Sequence, residues 1–173
     1  MNLCSRRPKE ATIVPDLLDA VEQLCTDKSP ALVGMREIAA EAGLSVGVAY
    51  RYFDSKTALI GAAMDRIGER LAGAVTGSDD LTKAMESLWK AFDDNPAFIN
   101  IGSWMILDGH NMSEVMSKHP AARDLISQAS ARGMNDPQTF AGVTLLIGLA
   151  GAFYGAAVNR ALGRHDDDQR IYQ

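Results

Sequence analysis

Residues 36–56 read REIAAEAGLSVGVAYRYFDSK, and no other stretch so narrows what this chain can fold into. The pattern is a short helix, a tight turn and a second short helix. Over Arg36–Ala42, the side chains Ile38, Ala39 and Ala42 share one face at helical spacing. Gly43 supplies the positive φ that a helix end needs, since it has no Cβ to clash. Leu44 is placed to enter the core between the two helices. Ser45 is a good N-cap for Val46–Phe53, its hydroxyl accepting a backbone N–H, and Asp54 and Ser55 offer a cap to the next helix. The small Ala39 permits a close crossing, as a helix-turn-helix requires. The unit has the build of a DNA reader.

The same residues resemble the TetR family of bacterial transcriptional repressors. The matching string is Ile38-Ala39, Ala42-Gly43-Leu44-Ser45, Gly47, Tyr50, Phe53, Lys56 and Leu59. Upstream, Ile13, Leu17, Val21 and Leu24 form the apolar stripe of that family's first helix, so the likeness covers about residues 10–65. The chain departs from the family pattern at several positions. Val33-Gly34 replaces the usual hydroxyl residue at the start of the second helix. Val46 stands where Lys is frequent, Val48 where Thr is frequent and Ala49 where Leu is frequent.

The resemblance implies an all-α chain with two parts. Residues 1–60 would form a three-helix helix-turn-helix head that binds DNA, and residues 61–173 a helical effector-binding and dimerisation part. The implied protein is a homodimeric regulator, a repressor released from a palindromic double-stranded operator by a small apolar molecule. It would not be an enzyme and would need no cofactor. The DNA contacts expected on this basis are Arg6 and Arg7 in the N-terminal arm, Gly34, Ser45, Val46, Gly47, Tyr50, Arg51, Tyr52 and Lys56. Arg51 suits a bidentate contact to a guanine edge or a phosphate contact. Lys56, opening a helix, is expected to hold a phosphate with its ammonium and backbone N–H together. For Tyr52, local core packing is the competing role.

Charge bears on this reading. The 173-residue chain has a net charge of −5, which argues against indiscriminate nucleic-acid binding. Its first 60 residues carry seven Lys/Arg against eight Asp/Glu, so the head is near neutral and the placement of its basic groups matters more than their number. The two cysteines, Cys4 and Cys25, make no disulfide framework or metal-ligand spacing. With no basic segment leading into an apolar run at the start, a cytoplasmic protein is expected. His110, His119 and His165 are scattered, and no metal site is expected.

Helical patterns continue along nearly the whole chain. Thr12 is a candidate cap for the first helix, with Pro15 tolerated in its opening turn. Further helices are expected over Lys56–Val75, Leu81–Asp94, Pro96–Gly109, Ser113–Arg132 with an interruption at Pro120, and Asp136–Gly163. The helix Lys56–Val75 places Leu59, Ala63, Ile67 and Leu71 on one face, and the boundary between the two parts is expected in its middle.

Large adaptable apolar side chains concentrate in the second part. Met85, Trp89, Phe92, Trp104, Met105, Met112 and Met116 are the candidate ligand contacts, with ordinary core packing as the plain alternative for each. Gly148, Gly151 and Gly155 on the last long helix are the candidate dimer contacts, since small residues permit close helix approach. Phe140–Val158 runs nineteen residues without a formal charge, long enough to span a bilayer, so a small membrane-anchored helical protein is one alternative. A second is a serine hydrolase. Gly43-Leu44-Ser45-Val46-Gly47 matches the G-x-S-x-G elbow, with Asp108 and His110 following, but the motif needs a strand where this chain has a helical pattern.

Overall fold

The computed structural model describes residues 10–76, 80–110 and 120–162. Eight α-helices and one 3-10 turn, with no strand, make up these described residues. Helix α1 spans Glu10–Asp27, the 3-10 turn Pro30–Leu32, α2 Met35–Glu41, α3 Val46–Tyr52 and α4 Lys56–Val75. They are followed by α5 (Leu81–Asp93), α6 (Pro96–Leu107), α7 (Pro120–Ala131) and α8 (Pro137–Ala161).

Side-chain caps set several of these boundaries. The Ser55 hydroxyl accepts from Ala58 N–H at 3.0 Å and opens α4 at Lys56. Asp80 accepts from Thr82 N–H at 2.9 Å, and Asp136 from Thr139 N–H at 3.0 Å, ahead of α5 and α8. Pro96 and Pro137 each stand near the start of their helices, where a missing N–H costs nothing. Pro15 differs from expectation. Because α1 already runs from Glu10, Pro15 lies within the helix rather than in its opening turn.

Helix α4 is the hub. Leu59, Ala63, Ile67 and Leu71, the stripe read from the sequence, are all buried, and α4 packs against α1, α5, α6 and α7. The expected break between residues 60 and 61 falls inside this continuous helix. Head and body are also joined directly. Asn100 of α6 donates its amide to the Cys25 and Thr26 carbonyls at 2.9 and 3.0 Å, satisfying groups at the α1 end that have no helical partner. Glu22 of α1 accepts from Arg66 Nε at 2.8 Å and from Arg70 Nη1 at 3.1 Å. Burial pushes the Glu22 carboxyl up, but the hydrogen bonds and charges of the two arginines outweigh it and hold it below its ordinary range. Cys25 is fully buried, and that burial raises its thiol to about 11, which leaves it an unreactive core side chain.

Helix α8 is long and apolar enough to cross a membrane over Pro137–Gly155 by length and composition. One of its sides is packed against α5 and α7, with Ala141, Thr144 and Leu145 buried.

Candidate nucleic-acid interface

The turn between α2 and α3 follows from Gly43. At φ 68° it lets its own N–H reach the Ala40 carbonyl at 3.0 Å while Leu44 N–H reaches Ala39 at 2.7 Å. This paired closure ends α2 within two residues. Leu44 then packs half-buried against the core, as expected. Ser45 does not act as expected. It occupies the N-cap position in extended conformation but makes no side-chain cap. Backbone alone starts α3, with Val48 and Ala49 N–H both reaching the Ser45 carbonyl at 2.9 and 3.3 Å. The hydroxyl is thus uncommitted to the helix.

Helix α3 has two unlike sides. Ala49 is fully buried, and Val46, Val48, Tyr52 and Phe53 pack half-buried against the head core. For Tyr52 this gives weight to the packing role. Gly47, Tyr50 and Arg51 are exposed, three and four residues apart, and so share one outward row. Tyr50 is 53% exposed. Gly34, the N-cap of α2, is exposed in an extended conformation, and two residues later Arg36 is exposed as well. Arg36 was missing from the residues expected by resemblance, although a cation in the first turn of a helix-turn-helix could have marked it. Among the described residues neither Arg36 nor Arg51 is ion-paired, whereas Lys28 is bound to Glu37 at 2.7 Å.

Lys56 is turned the other way. Its ammonium donates to the Pro30 carbonyl at 2.9 Å and lies 5.5 Å from the Trp104 ring centroid. This geometry weighs against the expected phosphate contact of the ammonium, because the head-to-body junction already holds it. His110 also neighbours this ring, at 6.1 Å between centroids. Arg6 and Arg7 lie outside the described residues.

The candidate ligand residues are scattered among different roles. Phe92 is a core side chain stacked on Phe98 at 5.7 Å, and Met105 is buried too. Met85, Trp89 and Trp104 are half-buried, with Trp89 donating its indole N–H to the Thr144 carbonyl at 2.9 Å. Trp104 belongs to the Lys56 junction. Met112 and Met116 lie outside the described residues.

Of the three α8 glycines expected at a dimer contact, Gly148 is corrected. A Cβ on Gly148 would stand 2.4 Å from Trp89 Cδ1 and 2.8 Å from Phe92 Cδ2, so Gly148 is filled from within the subunit. Gly155 is buried too, while Gly151 is half-buried at the edge next to the exposed Ile147, Tyr154 and Val158. The opposite side exposes Val143, Leu146, Ile147, Phe153, Tyr154 and Val158 without a charge among them.

Comparison with known proteins places this arrangement. Residues 17–63 match the model of the bacterial regulatory proteins of the tetR family. An uncharacterized HTH-type transcriptional regulator of Mycobacterium tuberculosis is 39% identical over 89 residues, which cover 47% of this chain and 44% of that protein. An HTH-type transcriptional repressor of the same species is 24% identical over 69% of this chain and 60% of its own length. The chain thus spans about half the length of the curated relatives it matches. A tetR-family regulator from Streptomyces coelicolor shares the fold with TM-score 0.66 at 19% identity, over 84% of this chain and 72% of that one. For a TetR-family regulator from Haemophilus influenzae the TM-score is 0.63 at 14% identity, over 88% and 90%. Ser45 sits between two helices, not at a strand-to-helix elbow, and the matched family is one of regulators rather than hydrolases. Residues 17–63 are thus a helix-turn-helix of the tetR type, and the helices around and beyond them share the fold of these regulators.

Proposed function

We propose that this protein is a DNA-binding transcriptional regulator that acts as a homodimer in the cytoplasm and represses from a palindromic site. The observation that carries the reading is the outward row of α3, where Gly47, Tyr50 and Arg51 stand clear of the head core within the family-matched segment. A helix so presented enters a major groove, and Arg36 and Gly34 at the start of α2 lie beside the phosphate backbone. The near-neutral head makes these few uncommitted cations the main electrostatic contacts. The division into a head over residues 1–60 and a body over 61–173 is retained with α4 shared between them.

The dimer contact is assigned to the apolar outer face of α8 over residues 143–158, because exposed apolar surface of that extent is stabilised by burial against a like face. A small apolar effector is assigned to the body, next to the half-buried Met85 and Trp89. Selection of binding sites from random duplex DNA tests the reading. A pseudo-palindrome with half-sites about one helical turn apart, or a multiple, is the expected result. Affinity should fall steeply as salt rises. No duplex enriched above background at low salt would end the proposal.

A further inference from the structure

The first turn of α3, Val46-Gly47-Val48, offers no side chain that can hydrogen-bond to a base; Tyr50 and Arg51 follow in the next turn. Val46 and Val48 flank Gly47, each partly packed on the head core and partly accessible. Gly47 itself is exposed, a Cβ there would meet nothing within 4 Å, and its φ is not positive. Neither packing nor backbone conformation within the subunit therefore calls for glycine. Glycine and β-branched residues are also poor helix formers, so Val46-Gly47-Val48 works against the helix it belongs to. The valines owe part of their surface to the head core, but what Gly47 serves lies outside the subunit.

In the major groove the base pairs differ by donors, acceptors and one apolar feature, the C5-methyl group of thymine. Valine cannot satisfy a donor or acceptor on guanine, cytosine or adenine, and covering such a group leaves it unpaired. Against a thymine methyl, valine removes apolar surface from water on both partners. The missing side chain at Gly47 lets the helix approach closely enough for both valines to reach. Arg51, four residues beyond Gly47, is the one charge on α3.

Resting on the DNA-binding reading above, we infer that Val46 and Val48 read thymine methyl groups in each half-site, seated by Gly47, while Arg51 supplies the polar contact. The test replaces each thymine of the selected operator, one at a time, by uracil, which pairs alike and lacks only the methyl. At one or two positions per half-site, binding by the full chain should weaken about fourfold per methyl removed. Val46→Ala and Val48→Ala should each abolish that thymine-to-uracil ratio at one position, and Arg51→Ala should keep it. The ratio is taken within one protein preparation, so a partly unfolded variant leaves it unaffected. Equal binding of thymine and uracil operators by the wild-type chain would overturn the methyl reading and leave DNA binding standing. If no operator is selected at all, the DNA-binding reading fails first and this inference with it.

Discussion

Gly47 and Gly148 are both glycines inside helices, and they are there for opposite reasons. Around Gly47 a Cβ would find open space, whereas at Gly148 it would collide with the rings of Trp89 and Phe92. Helix α3 gives up helix propensity where no contact within the subunit requires it, as the proposed close approach to DNA would. Helix α8 gives it up so that α5 can lay two aromatic side chains on its backbone, with the Trp89 indole N–H bonded to the Thr144 carbonyl one turn earlier. The contrast separates a glycine that the fold requires from one that it does not. In sequence the two look alike.

Breaking the inner case should have the largest effect. Gly148→Ala places a methyl among ring atoms that have no flexible end to move aside, and overpacking of this kind costs about 1–3 kcal/mol or somewhat more. Urea denaturation followed by circular dichroism should show a lower midpoint with an unchanged slope. An unchanged midpoint would mean that the α5 aromatics have room to shift.

The junction between the two parts should give the next largest effect. Lys56→Met keeps the aliphatic stem but loses the hydrogen bond to Pro30 and the charge over Trp104, together worth about 1–2 kcal/mol. The salt dependence of operator binding should stay as in the wild type, because this cation faces inward. A slope reduced by about one would make Lys56 a phosphate contact after all.

The outer case should give the smallest change in stability, and of opposite sign. Gly47→Ala should stabilise the chain by roughly 0.5–1 kcal/mol through helix propensity. Thermal unfolding should then shift upward by about 2–4 °C per kcal/mol. Operator affinity should fall in the same variant. A gain in both stability and affinity would remove the close approach assigned to Gly47, and a loss of stability would mean that the position serves the fold, like Gly148.

Interactions between near neighbours in the chain were enough to determine much of this protein. The ends of α4 at Lys56 and Val75 follow from the Ser55 cap and an amphipathic run, and the tight turn follows from Gly43. The buried stripe of Leu59, Ala63, Ile67 and Leu71 follows from spacing. Such signals depend on residues a few positions apart, so an all-α chain with a helix-turn-helix could be read directly. Tertiary structure alone decided which way several side chains face. Lys56 turns inward because the Pro30 carbonyl, 26 residues earlier, and Trp104, 48 residues later, are brought beside it. The facing of α8 was illegible for a different reason. Its residues 140–158 carry no charge on any side, so periodicity could not separate the face of Gly148 from the face of Leu146. Only the arrival of Trp89 and Phe92 from α5 determined that Gly148 lies inside and Leu146, 67% exposed, lies outside.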